Sequence, residues 1–78
     1  MARDLKELFA ERGLKLDAVA VLGEVDKGTI SRIANGKSRA KPETIVRLAR
    51  GLGISARRMQ ALCDAAYLAA DTGEPVLR

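Results

Sequence analysis

Seventy-eight residues, 47% apolar and 31% charged, leave room for one small core; they argue against two domains and against disorder, and the apolar run at residues 18–22 is far below a membrane span. A single cysteine, Cys63, excludes an internal disulfide, and the absence of histidine removes the usual zinc donors, so neither a metal nor a cofactor is expected. The net charge of +4 is uneven: residues 1–26 carry −2, residues 27–58 carry +8 with nine Lys/Arg against the single acid Glu43, and residues 59–78 carry −2.

A concentrated positive middle between mildly acidic flanks fits a polyanion-binding surface, with a merely solvated face as the alternative. The start of the chain shows no apolar stretch with a cleavage site, so a cytoplasmic protein is expected. Without His, and with no paired carboxylates in a recognisable motif, acid–base and nucleophilic chemistry have no candidates, and no enzyme is expected.

Apolar spacings of three and four, with no sustained alternation, predict an all-α protein of five short helices over residues 1–72 and a frayed tail at 73–78. The first helix is expected over residues 2–12, with Leu5, Leu8 and Phe9 on one stripe and Gly13 as its stop. The second spans about 16–22, ended by Gly23. The third opens at Asp26, whose carboxylate suits an N-cap, and closes at Asn35-Gly36. The loop Gly36-Lys37-Ser38-Arg39-Ala40-Lys41 leads to Pro42, at home in a first helical turn, and Glu43 then meets the positive end of the helix dipole. Ile45, Leu48, Ala49 and Leu52 supply the buried stripe of this fourth helix, and Gly53 its stop. Ser55 caps a fifth helix reaching about residue 71, on which Met59, Leu62, Cys63, Ala66 and Tyr67 form the inner stripe; Cys63 there is a small buried hydrophobe rather than a reactive thiol.

The informative stretch is residues 19–36. Two helices joined by a three- to four-residue turn must approach closely, which calls for a small residue in the first, an apolar residue in the turn and an apolar pair in the second. Ala20, Val25, and Ile30 with Ile33 meet these needs. On a helical wheel Ile30, Ile33 and Ala34 face inward, while Lys27, Gly28, Ser31, Arg32 and Asn35 form one polar, basic outward arc.

At these residues the sequence resembles the lambda repressor-like helix-turn-helix family, also called the Cro/repressor or XRE type. The resemblance covers roughly residues 5–62. It rests on the run of residues 19–25, on Thr29-Ile30-Ser31-Arg32-Ile33, on Asn35-Gly36-Lys37, and on Leu48-Ala49-Arg50-Gly51-Leu52-Gly53-Ile54-Ser55. It implies a compact five-helix bundle containing a helix-turn-helix whose third helix enters the major groove of double-stranded DNA. Carried over by position, Lys27, Gly28, Ser31 and Arg32 face base edges, and Asn35, Lys37, Ser38, Arg39 and Lys41 meet phosphates. Two positions depart from the family: Glu24 stands where a turn glycine is usual, with Gly23 one step earlier, and Leu16 stands where a glutamine usually touches the DNA backbone.

The expected function is a sequence-specific transcriptional regulator, of phage or prophage repressor or Cro-like type, in a bacterial or phage-infected cell. Two alternatives remain open at this level. One is an antitoxin-like autoregulator whose fifth helix grips a protein partner; the other is a helical interaction module whose basic patch meets an acidic protein and binds no DNA. A second apolar face on the fifth helix, Ala61, Ala65, Leu68 and Ala69, fits a homodimer interface, although alanines there also simply raise helix propensity.

Overall fold

The computed structural model describes residues 2–72. They fold into five α-helices with no strand among the described residues: α1 (Leu5–Glu11), α2 (Leu16–Gly23), α3 (Lys27–Ala34), α4 (Pro42–Leu52) and α5 (Ala56–Thr72). The expected tail at 73–78 lies outside the described residues.

Helix starts follow the short polar side chains. Asp4 caps α1 by accepting from the Glu7 amide at 3.0 Å, and the Glu7 carboxylate reaches back to the Arg3 amide at 2.9 Å, satisfying two otherwise orphaned donors. That reciprocal cap starts the helix at Leu5 and not at Ala2; Ala2 is buried all the same, in non-helical chain ahead of it. Asp26 caps α3 and the Ser55 hydroxyl caps α5. Pro42 opens α4, with Glu43 in the first turn.

The core gathers Leu5, Leu8, Val19, Ile30, Ile33, Leu48 and Met59, each almost wholly removed from water. Burying a side chain of this size contributes roughly 1.5–3 kcal/mol. Cys63 lies among them, and burial, followed by the Asp64 charge, pushes its thiol up to about 11, so the group stays protonated at neutral pH. Every buried side chain among the described residues is apolar. The polar chemistry is therefore all at the surface.

Helix α4 packs against both α2 and α5, α3 packs against α2 and α5, and α1 against α5. At the α2–α4 crossing the two backbones come very close. A Cβ on Gly51 would collide with the Leu22 carbonyl oxygen and lie 2.6 Å from the Leu22 carbonyl carbon and 2.9 Å from the Gly23 Cα. Gly23 in turn faces the Leu48 side chain, where a Cβ would come within 2.9 Å of Cδ2.

Because Gly23 is used for this approach, it stays inside α2 instead of ending it. The left-handed position that ends the helix falls to Glu24, at φ 55° and ψ 44°, the only non-glycine with positive φ among the described residues. An L-residue there costs about 1–2 kcal/mol. Glycine thus serves the helix contact here, and glutamate takes the left-handed position. The Arg47 guanidinium supports it by donating to the Glu24 carbonyl at 3.4 Å. At the far end of α4, the Arg12 guanidinium donates to the Leu52 carbonyl, one of the acceptors that a helix terminus leaves open.

Candidate nucleic-acid interface

Helix α3 presents two unlike faces. Ile30, Ile33 and Ala34 are buried, with Val25 of the turn and Ala20 of α2 packed partly against the core, as the spacing implies. On the other face Lys27, Gly28, Arg32 and Asn35 are exposed and Ser31 is half-buried, so the structure gathers the five residues of the predicted arc on one strip.

The start of α3 is held by a short polar chain. Asp26 Oδ2 accepts from the Thr29 amide at 3.1 Å and, more loosely, from the Thr29 hydroxyl at 3.5 Å; that hydroxyl oxygen accepts from Arg32 Nη2 at 3.3 Å. Arg32 therefore folds back along the helix toward its N-terminus. Gly28 makes room for this arrangement: a Cβ there would lie 3.0 Å from Asp26 Oδ2 and 3.6 Å from Arg32 Nη1.

Lys27 is not a free cation. Its Nζ lies 2.8 Å from Asp17 Oδ1 in the first turn of α2, with both side chains largely exposed. The hydrogen bond to Asp17 and the charge behind it hold the Lys27 ammonium above its ordinary value of 10.5, so it remains charged at physiological pH. At the other end of the helix Asn35 turns its amide onto its own backbone, donating to the Ser31 carbonyl at 2.9 Å and to Ser31 Oγ at 3.4 Å.

The loop beyond α3 is ordered by backbone bonds from the Gly36 amide to the Ile33 carbonyl and from the Lys37 amide to the Arg32 carbonyl. Lys37, Arg39 and Lys41 are exposed and Ser38 is half-buried. Arg39 stacks over the Tyr67 ring of α5, its guanidinium carbon 4.7 Å from the ring centre. Between α3, this loop and the start of α4 lies a cleft of about 420 Å³, where Arg32, Arg39, Lys41 and Arg47 converge with Ser38. Glu24, Asp26 and Glu43 share its rim, so the four cations are only partly neutralised there. At the other edge of the strip, Asn35 and Ser31 border a groove with Lys6, Phe9 and Leu16. Leu16, in place of the usual glutamine, makes that edge apolar.

Sequence reasoning missed three contributors. Arg47 was readable in part, because Glu43 and Arg47 stand four apart on one helix, and the structure places them 3.8 Å apart. Thr29 was seen only as part of a motif. Asp17, ten residues from Lys27 and on another helix, left no local signal. Among the described residues no group of His, Cys, Asp and Glu is placed to hold a metal ion, and no helix is long and apolar enough to cross a membrane.

The two-helix unit with an exposed polar strip on its second helix can lay that strip in a groove about 12 Å wide, the width of the DNA major groove. No curated protein and no solved structure matches the chain. A family model described as helix-turn-helix does, over residues 5–59. That segment runs from the first residue of α1 into α5 and takes in most of the chain, so the protein belongs to the lambda repressor-like (XRE) helix-turn-helix family of DNA-binding regulators.

Proposed function

We propose that the protein is a sequence-specific transcriptional repressor of phage/prophage or Cro-like type, acting on double-stranded DNA in the cytoplasm of a bacterial or phage-infected cell. Lys27, Gly28, Ser31 and Arg32 read base edges, and Asn35, Lys37, Ser38, Arg39 and Lys41 hold phosphates. The observation that carries this reading is the exposed basic strip of α3 running directly into a cation-lined cleft. Base contacts select and phosphate contacts anchor, and apart from Asn35 at the end of α3 the phosphate group lies in the loop beyond that helix.

The test is selection of bound duplexes from a random pool, followed by titration of variants on selected and random DNA. Arg32→Ala is expected to lose about 1–3 kcal/mol on the selected site and to relax one base position. Alanine at Lys37 or Lys41 is expected to weaken all duplexes alike and to flatten the salt dependence by about 0.9 in the log–log slope. Equal loss on both duplexes for Arg32→Ala, with altered base preference for the loop variants, overturns the assignment.

The homodimer reading draws support from Ala61, Leu68 and Ala69, which are exposed on α5, Leu68 at 53%. Ala65 is half-buried, so a charge there also disturbs the core; Ala61→Glu is the cleaner probe. A dimer predicts half-sites about 34 Å apart. Unchanged sedimentation mass and DNA affinity in Ala61→Glu rule it out. The same α5 surface serves the antitoxin-like alternative, in which a different protein covers it.

A further inference from the structure

The Asp17–Lys27 pair joins the first turn of α2 to the first turn of α3 at 2.8 Å, with 79% and 57% of the respective side chains exposed. A pair so open to solvent adds little to stability, so the fold has small need of it. What it does give Lys27 is a fixed neighbour of opposite charge. A lysine stem is flexible and its ammonium is an undirected point charge, which binds any nearby acceptor and serves phosphates readily. Tethered to Asp17, the ammonium has a direction and an anion beside it.

An ammonium has three N–H donors. Asp17 Oδ1 takes one, which leaves two. In the major groove guanine offers two adjacent acceptors, N7 and O6; adenine pairs an acceptor with a donor, thymine offers one acceptor, and cytosine offers a donor. Of the four bases only guanine offers an acceptor to each of the two remaining donors. The carboxylate also repels phosphate oxygens from the same spot.

We propose that Asp17 is a specificity-determining positioning residue that aims Lys27 at a guanine and withholds it from the DNA backbone, an inference that rests on the base-reading role given to α3 above.

The experiment titrates the wild type, Asp17→Ala, Lys27→Ala and the double variant on the selected duplex, on the same duplex with each guanine replaced in turn, and on random duplex, at several salt concentrations. Asp17→Ala is expected to lower the preference for one guanine about tenfold. It is also expected to tighten binding to random duplex and to steepen the log–log salt slope by about 0.9, the contribution of one released cation. In the Lys27→Ala background the same substitution changes neither the guanine preference nor the slope. Asp64→Ala, which removes one negative charge from α5, keeps the wild-type preference. The proposal is overturned if Asp17→Ala retains the guanine preference, if it acts equally without Lys27, or if Asp64→Ala reproduces its effect. A wild-type protein that selects no duplex overturns instead the base-reading role of α3.

Discussion

Two glycines inside helices, Gly51 at the α2–α4 crossing and Gly28 on the exposed strip of α3, look alike in sequence and sit in opposite kinds of surroundings. A side chain at Gly51 meets backbone, the Leu22 carbonyl and the Gly23 Cα, which cannot move without parting two helices. At Gly28 it meets the ends of the Asp26 and Arg32 side chains, which can swing aside into water. The crossing is rigid because it is made of main chain and apolar packing. The strip is adjustable because it is made of exposed side chains joined by solvent-exposed hydrogen bonds. Substitutions in the first region are thus expected to act on stability, and those in the second on DNA selectivity with little change in stability.

The sharpest way to break this contrast is Gly51→Ala. Overpacking against backbone is expected to cost about 3 kcal/mol, and in a domain of this size each kcal/mol lowers Tm by about 4–8 °C. Thermal unfolding measures it; a variant within 2–3 °C of wild type, by about the same conversion, shows that the crossing is softer than its geometry. Next comes Asp26→Ala, which removes the cap of α3 and the far anchor of Arg32. Loss of such a cap costs about 1 kcal/mol. Binding to the selected duplex is expected to weaken more than binding to random DNA, and equal weakening on both removes Asp26 from the reading strip.

Glu24→Gly runs the other way. It relieves the left-handed glutamate, offset in part by the greater freedom of glycine in the unfolded chain, for a net gain of about 0.5–1 kcal/mol in a denaturant titration. A loss means that the Glu24 side chain contributes more than its backbone strain removes. The smallest change in stability is expected for Gly28→Ala. Alanine gains up to about 1 kcal/mol in helix propensity, and displacement of the Asp26 carboxylate takes part of it back. Its selectivity on DNA is expected to fall nonetheless; unchanged selectivity shows that Arg32 reaches its base without the space beside Gly28.

Much of the fold was legible because punctuation and periodicity agree along the chain. Asp26, Pro42, Ser55 and Gly53 mark helix ends where the structure has them, and Ile30, Ile33 and Ala34 repeat at the helical period. The misjudged boundaries have different causes. Ala2 extends the apolar stripe of α1 but the Asp4 cap starts the helix later, and Gly23 reads as a stop although its missing side chain serves Leu48. At Ala2 one local rule, the cap, overrides another, the apolar period; at Gly23 tertiary packing uses a residue that local rules assign otherwise. At the interface, periodicity exposed the arc of α3 because an arc is a property of one helix. The partners that restrain its cations were invisible for the converse reason: Asp17 reaches Lys27 across a turn, and Tyr67 receives Arg39 from another part of the chain.

The packing of α1 on α5 bears on how the chain can be made. Synthesis proceeds from the N-terminus at about 5–20 residues per second, so Leu5, Leu8 and Phe9 leave the ribosome seconds before Met59, Leu62 and Cys63 exist to share a core with them. Arg12 likewise waits for the Leu52 carbonyl. A nascent chain stopped before α5 leaves the apolar stripe of its first helix in water, as a target for chaperones and proteases. Only when α5 is free to fold can α1 dock on it, and the same helix backs α3.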